Sequence, residues 1–312
     1  MVAILNPALL LFLSGILLGI SFRLILPNSI SKYLGYYLLL SLGLKGGSSL
    51  QENGFINEVI SALSLGVIFA ILIPIIAYFY LKNLLNNDDA AALSGTYGSV
   101  SAVTFVTAIA YLSTTGQEFD NYMSAVLVVM EFPAIFMALY LVTHNNQNKS
   151  NNFETIKTAF LEIPNIILIS SLLIGYFVNK TILSNLDFII VEIFDYVLYV
   201  FLFVMGTRVA KRIGELKGKG TNLISFALCT PLIGSFIALL ASVYFNFSVG
   251  NTTLLMVLTA SASYIAVPAV VKDAIPNANP AIYLGLSLGV TFPFNIIFGI
   301  PLYNELAKYF IG

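Results

Sequence analysis

The sequence is poor in charged residues, with 14 Lys and Arg and 15 Asp and Glu making up 9% of 312 residues. Soluble domains average about 25% charged residues. Hydrophobic residues make up 58% of the chain and the mean hydropathy is +0.92, so too few side chains interact with water to cover a soluble globule. The composition therefore predicts an integral membrane protein.

Cysteine, histidine and tryptophan are also scarce: the chain has only Cys229, only His144 and no Trp. One cysteine excludes an internal disulfide, and one Cys with one His is too few for a transition-metal ligand set or a Cys–His catalytic dyad. A net charge of −1 offers no cationic surface for nucleic acid. We therefore expect no enzyme, no cofactor and no nucleic-acid partner.

Ten apolar segments are long enough to cross the hydrocarbon core as helices, which takes about 20 residues each. The predicted spans are 6–26, 28–44, 56–82, 90–112, 121–143, 158–179, 185–207, 221–246, 252–272 and 279–308. No Lys or Arg precedes the first apolar run, so we expect a mature helix there rather than a signal peptide. A polar, Asn-rich connector over 144–157 separates residues 1–143 from residues 158–312, with five spans in each part.

The cations divide unequally between the two faces that ten spans define. The face with both termini carries Lys45, Lys180 and Lys308, and the other eleven of the 14 Lys and Arg lie on the opposite face. Cytoplasmic loops are enriched in Lys and Arg. We therefore expect both termini outside the cytoplasm, in a plasma or inner membrane.

The chain matches itself in order at an offset of about 160 residues, which is typical of an internal duplication. The matching segments include Gly43-Leu44-Lys45 with Gly206-Thr207-Arg208, Ser99-Val100-Ser101 with Ser261-Ala262-Ser263, and Phe132-Pro133 with Phe292-Pro293. Because each half has five spans, the second half must enter the membrane inverted, which is the plan of many secondary transporters.

The fourth span of each half is unusually polar. Its residues are Gly98, Ser99, Ser101 and Thr104 in the first half, and Ser261, Ser263 and Tyr264 followed by Pro268 in the second. Gly98 weakens a helix, and Pro268 removes an amide and frees the Tyr264 carbonyl. We expect both helices to be discontinuous near the membrane midplane, where half-helix N-termini suit a small anion and carbonyls and hydroxyls suit Na⁺. Each hydroxyl taken alone could instead serve helix packing.

Glu131 lies near the middle of the fifth span, directly before Phe132-Pro133. A carboxylate at that depth costs about 2.5–3.5 kcal/mol unless it is solvated or paired, which makes Glu131 a functional candidate. The alternative is a protonated Glu that donates to a carbonyl freed by Pro133. Its counterpart in the second half is Thr291, with Asn295 close by, so the two halves would contribute unequally to one site.

Six motifs extend over most of the chain. They are YGSVSAVT (97–104), MEFPA (130–134), MG with RIGEL (205–206 and 212–216), SASYIAVP (261–268), IPNANP (275–280) and LGVTFPF (288–294). Together they resemble the sodium-dependent bicarbonate transporter family known from cyanobacteria.

This resemblance implies an all-α membrane protein of ten helices in two inverted five-helix repeats, divided into a gate domain and a mobile core. It also implies a homotrimer, elevator-type Na⁺/bicarbonate symport and a small PII-like regulator at the cytoplasmic face. The cyanobacterial members carry an Asp after the serine run of the ninth span, where this chain has Tyr264. Glu131 or the Tyr264 carbonyl would then have to compensate in Na⁺ binding.

The leading hypothesis is Na⁺-coupled uptake of bicarbonate or a similar small monoanion. The candidate binding residues are Gly98, Ser99, Ser101, Thr104, Glu131, Ser261, Ser263, Tyr264, Thr291 and Asn295, with Na⁺ expected at Ser101, Thr104, Ser263 and Tyr264. One alternative is a Na⁺- or H⁺-coupled transporter of another organic anion, because the Tyr264 ring enlarges the apolar part of a pocket. Another is a non-transporting membrane anchor for a cytoplasmic regulatory protein.

Overall fold

The computed structural model describes residues 7–143, 161–215 and 220–312. The described residues are helical almost throughout and contain no strand. The predicted connector 144–157 and the first residues of the predicted sixth span lie outside these ranges.

Six helices precede the connector. They are α1 (Pro7–Phe22), α2 (Asn28–Asn53), α3 (Asn57–Leu81), α4 (Asn87–Gly98), α5 (Ala102–Thr114) and α6 (Met123–Thr143).

The described helices after the connector begin at Ile163. They are α7 (Ile163–Phe177), the short α8 (Lys180–Ser184), α9 (Phe194–Glu215), α10 (Thr221–Tyr244), α11 (Val249–Ala260), α12 (Ala266–Ala274) and the long α13 (Pro280–Ile311). A π-helical turn, Phe188–Glu192, precedes α9, and two more lie within α13, at Ser287–Thr291 and Asn295–Gly299.

Five helical segments of the described chain are long and apolar enough to cross a membrane. They are Asn57–Leu81, Asn87–Thr114, Phe188–Ile213, Thr221–Tyr244 and Pro280–Ile311, and α1, α7 and α11 are shorter apolar helices. Large apolar side chains such as Ile76 and Phe177 are 62% and 75% exposed, as expected where lipid rather than water surrounds the protein. The chain is therefore a helical membrane protein.

The second predicted span, 28–44, is too short, because α2 continues to Asn53. Its last part contains Gly46 and Gly47, whose missing side chains allow close contact with Ser124 of α6 and with Leu172 of α7. The polar end of α2 is thus stabilised by helix packing, which a hydropathy window does not detect.

Two predicted spans are broken helices. The span 90–112 consists of α4 and α5, separated by residues 99–101, and the span 252–272 consists of α11 and α12, separated by residues 261–265. The second break lies before Pro268 rather than at it. Pro268 occupies the first turn of α12, where an amide has no intrahelical partner in any case.

The helices pack in two groups. We call α1, α2, α7 and α9 the four-helix group, because α1 packs mainly on α9 and α2 mainly on α7, while α9 also contacts α2. We call α3–α6 and α10–α13 the crossing group, because it contains both broken helices.

Glycines bring the helix pairs of the four-helix group into backbone contact. A Cβ atom on Gly206 of α9 would lie 2.2 Å from the carbonyl oxygen of Phe12, and one on Gly15 of α1 would lie 2.2 Å from that of Phe203. The α2–α7 pair has the same arrangement, since a Cβ on Gly175 would lie 2.3 Å from the Leu44 carbonyl oxygen. Small residues that let backbones approach are a major source of helix association in membranes.

We predict that Gly206→Ala separates α1 from α9 and destabilises the protein by about 1–3 kcal/mol, as overpacking does. Thermal unfolding of a fluorescent-protein fusion, followed by size-exclusion chromatography, measures the loss. Gly220→Ala is the matched control, because nothing lies within 4 Å of a Cβ at Gly220. Equal melting temperatures for the two variants would contradict the proposed role of backbone contact.

Candidate ion-binding site

The two helix breaks are joined to each other by hydrogen bonds. The Ser101 amide donates to the Ser261 hydroxyl oxygen at 2.9 Å, and the Ser263 amide donates to the Thr96 carbonyl oxygen at 2.8 Å. A backbone amide without a partner costs several kcal/mol in a lipid-surrounded interior. Each break therefore supplies a partner that the other needs.

Serine oxygens also accept hydrogen bonds from the first turns of the helices that follow the breaks. The Ser101 oxygen accepts from the Thr104 amide at 3.2 Å and from the Thr104 hydroxyl at 2.9 Å, at the start of α5. The Ser263 oxygen accepts from the Val267 amide at 3.4 Å, at the start of α12. Both helices thus begin beside the breaks, and a helix N-terminus carries partial positive charge.

Glu131 of α6 lies against the first break and is 7% exposed. The Ser99 hydroxyl donates to Glu131 Oε2 at 3.0 Å, and the Val100 backbone also interacts with this carboxyl group. Within the described ranges, no cationic side chain forms an ion pair with Glu131. Its negative charge therefore requires a proton or a bound cation as compensation.

A small cavity of about 50 Å³ lies beside the crossing of the two breaks. A buried water needs about 10–15 Å³ on this measure, so the cavity has room for a handful of atoms. Polar groups reach it from Ser101, Glu131, Asn165, Ser263 and Tyr264. We call it the inner cavity.

The inner cavity lies between the two helix groups. Its apolar wall comes from Leu39 of α2 and Leu168 of α7, in the four-helix group, and from Val100, Val103 and Leu127 in the crossing group. A ligand in this cavity would contact both groups at once.

Several predicted binding residues lie behind the crossing rather than at the inner cavity. Asn295 donates to the carbonyl oxygen of Ala260, the last residue of α11, at 2.7 Å, and the Tyr303 hydroxyl donates to Asn295 Oδ1 at 2.9 Å. Thr291 donates to the Ala227 carbonyl oxygen at 2.8 Å, and its hydroxyl lies 2.5 Å from that of Tyr97. These side chains fix the broken helices in place.

The other predicted residues also divide into those that support the crossing from behind and those that line the inner cavity. Gly98 packs against α3, where a Cβ atom would lie 2.6 Å from Pro74 Cγ. Thr104 is buried behind Ser101, and Ser261 bonds the opposite break. The predicted residues that line the inner cavity are thus Ser101, Glu131, Ser263 and Tyr264.

Three residues of this region were not predicted from the sequence. Asn165 lines the inner cavity from the first turn of α7, Tyr303 braces Asn295, and the Thr96 carbonyl accepts from the opposite break. Asn165 could have been found as a polar residue within an apolar run directly after Pro164. Thr96 contributes only its backbone carbonyl, which every residue has, so the sequence could not indicate this role.

Broken helices whose interrupted segments meet inside a membrane-embedded bundle are typical of secondary transporters. The family described as the Na⁺-dependent bicarbonate transporter superfamily matches residues 7–308, nearly the whole chain. The protein belongs to this family, which is one of transporters rather than enzymes and which implies sodium as the coupling ion. A comparison with curated proteins gives no significant match.

We predict that Asn295→Ala destabilises the crossing by about 1–3 kcal/mol, because it removes the side-chain donor to the buried Ala260 carbonyl and the acceptor of the Tyr303 hydroxyl. The melting temperature of the fluorescent fusion measures the effect. Tyr303→Phe should cost less, since Asn295 keeps its bond to Ala260. Tyr309→Phe is the control, because Tyr309 is 82% exposed. A larger loss for Tyr303→Phe than for Asn295→Ala would contradict the bracing role.

Proposed function

We propose that the protein couples Na⁺ to the uptake of bicarbonate or a similar small monoanion, and that both ions bind at the crossing. The observation that carries the proposal is the inner cavity, where the start of α5, the Ser263 hydroxyl and the Glu131 carboxyl group meet. This combination offers partial positive charge for an anion and oxygen ligands for a cation within one small volume.

The anion would bind at the start of α5. The first amides of a helix have no intrahelical partners, and Ala102 and Val103 of the first turn line the inner cavity. The volume of about 50 Å³ suits a bicarbonate-sized ion better than a bulky organic anion. Size therefore favours the leading hypothesis over the organic-anion alternative, although Tyr264 contributes an aromatic ring to the wall.

The Na⁺ ligands would be the oxygens of Ser101 and Ser263 and the Tyr264 carbonyl, while Thr104, which was also expected as a ligand, bonds Ser101 from behind. Pro268 has no amide hydrogen, so it cannot form the bond that a helix would place on that carbonyl. Glu131 would supply the negative charge that the cyanobacterial family members place on an Asp in the ninth span. Hard cations such as Na⁺ bind through oxygen, and broken transporter helices provide it from hydroxyls and carbonyls.

An elevator-type mechanism is supported by the division of the helices. Most polar residues of the inner cavity belong to the crossing group, while the four-helix group supplies Leu39, Asn165 and Leu168. A shift of the crossing group along the four-helix group would carry the ions between the two faces. Backbone contacts through glycine would keep the four-helix group rigid during this motion.

We further propose the ten-helix inverted repeat, with halves 1–143 and 158–312. The glycine contacts support it, because an inverted duplication would relate the α1–α9 pair to the α7–α2 pair, and both pairs use such contacts. We also propose that both termini lie outside, which the unequal distribution of cations supports. The homotrimer and the PII-like regulator stay predictions from the family resemblance.

We expect proteoliposomes that contain the protein to take up labelled bicarbonate only when an inward Na⁺ gradient is applied. The Ser263→Ala variant should need about tenfold more Na⁺ for half-maximal uptake, if one oxygen ligand is worth about 1.4 kcal/mol. Uptake that is unchanged when choline replaces Na⁺ would contradict Na⁺ coupling. A complete absence of flux for all anions tested would favour the membrane-anchor alternative.

Glu131→Gln separates Na⁺ coupling from H⁺ coupling. If Glu131 balances the charge of Na⁺, the variant should raise the half-maximal Na⁺ concentration at least tenfold, and excess Na⁺ should restore uptake. If Glu131 instead carries a transported proton, uptake in the wild type should follow the pH gradient without Na⁺ and should be lost in the variant. Glu305→Gln is the control, because this carboxylate is exposed and pairs with Lys308.

A further inference from the structure

A second, larger cavity adjoins the inner cavity. It has a volume of about 510 Å³ and opens at the start of α2 and the end of α9. Tyr264, Ile265, Leu39 and Pro164 line both cavities, so the two meet at these residues. We call the larger cavity the vestibule.

The vestibule is strongly cationic. Among the described residues, its lining contains Lys32, Arg208, Lys211 and Arg212, and one carboxylate, that of Glu162. A cleft with one sign of charge and low-dielectric walls raises the local concentration of the opposite ion. The vestibule therefore attracts anions toward the inner cavity.

Arg208 is held in a fixed position within the vestibule. One of its terminal amino groups, Nη2, donates to the Asn28 side-chain oxygen at 2.8 Å and contacts the Asn28 carbonyl oxygen at 3.3 Å. Its Nε–H group is buried and has no hydrogen-bond partner in the described part of the chain. No carboxylate of the described residues forms an ion pair with this guanidinium.

The Tyr264 hydroxyl is also buried, and it interacts with the Ser101 side chain but makes no well-formed hydrogen bond with the described residues. Its ring is fixed edge-on against Phe292, with 5.3 Å between ring centroids. Arg208 lies close enough to interact electrostatically with this hydroxyl. Two buried donors that lack well-formed hydrogen bonds with the described residues thus line the vestibule, and one of them, Tyr264, also lines the inner cavity.

A donor buried without a partner is unfavourable, and one bound anion could accept from both groups. The planar guanidinium matches planar oxyanions such as bicarbonate and nitrate better than a spherical ion. We propose that Arg208 and Tyr264 form a second anion site, between the vestibule and the inner cavity, for a small planar monoanion. The role of this second site in transport rests on the proposed function, whereas the binding of an anion at the second site does not.

The site is divided between the two helix groups, since Arg208 belongs to α9 and Tyr264 precedes α12. A shift of the crossing group would separate the two donors. The second site therefore exists only when the inner cavity is open toward the vestibule, and it holds the anion next to the inner cavity in that state alone.

The test places a thiol at the junction of the two cavities. Ile265 is 48% exposed and lines both of them. In a Cys229→Ser background, Ile265→Cys gives a chain with one thiol, because Cys229 is the only cysteine. The measurement is the rate at which an anionic methanethiosulfonate reagent modifies this thiol in purified protein without Na⁺, with bicarbonate or nitrate added. Gluconate keeps the ionic strength constant.

We expect bicarbonate and nitrate to slow the modification, and Arg208→Gln to raise the half-protecting concentration about tenfold or more. Lys211→Gln is the matched control: it removes the same charge from an exposed position of the same vestibule and should change protection by only about twofold. Tyr264→Phe should also weaken protection. It keeps the test decisive if Arg208→Gln does not fold.

Equal protection in the Arg208→Gln and Lys211→Gln variants would overturn the proposal, as would an absence of protection in the parent protein. Protection by added anionic phospholipid, but not by bicarbonate or nitrate, would assign the cavity to a lipid headgroup and would also overturn it. The assay needs no flux. Protection that depends on Arg208 in a protein without Na⁺-coupled uptake would therefore retain this site and reject the proposed function.

Discussion

The structure depends on one constraint: backbone groups exposed by a helix break inside a membrane need hydrogen-bond partners. Two breaks that face each other meet this need, through the Ser101–Ser261 and Ser263–Thr96 hydrogen bonds. The bond from Asn295 to the Ala260 carbonyl satisfies a third group at the end of α11. Removing either break would leave the other with buried polar groups that neither lipid nor the apolar neighbours could satisfy.

This constraint also explains why the crossing contains little formal charge. Hydroxyls, amides and carbonyls make up most of its polar atoms, and Glu131 is the one carboxylate that the described residues contribute to the inner cavity. Dipoles hold an ion through many weak contacts, so a moderate change in geometry can release it. The cations are concentrated instead in the vestibule, where exposure to water reduces their cost.

Much of the fold and part of the site could be predicted from the sequence, for identifiable reasons. Clusters of Ser, Gly and Pro in an apolar chain locate both helix breaks, because Gly and Pro weaken helices and Ser hydroxyls can bond the backbone groups that a break exposes. The roles of individual side chains could not be assigned from the sequence. All four of Thr291, Asn295, Ser101 and Ser263 are polar residues in apolar spans, and only the packing shows that the first two bond neighbouring helices while the last two line the inner cavity. From the sequence, Arg208 was only one of eleven cations expected on the cytoplasmic face, and only the fold shows that it lines the same cavity as Tyr264.

The hydrogen bonds between the two breaks also bear on synthesis of the chain. Thr96 and Ser101 leave the ribosome about 160 residues before Ser261 and Ser263. During that interval their amide and carbonyl groups lack native partners inside the bilayer. Until the second broken helix is inserted, the exposed groups of the first therefore need hydrogen-bond partners from water or from other protein groups. Insertion of the segment 261–263 thus completes the hydrogen bonding of the first break. A chain truncated before this segment should keep unpaired backbone groups at residues 96–101, which membrane quality control can recognise.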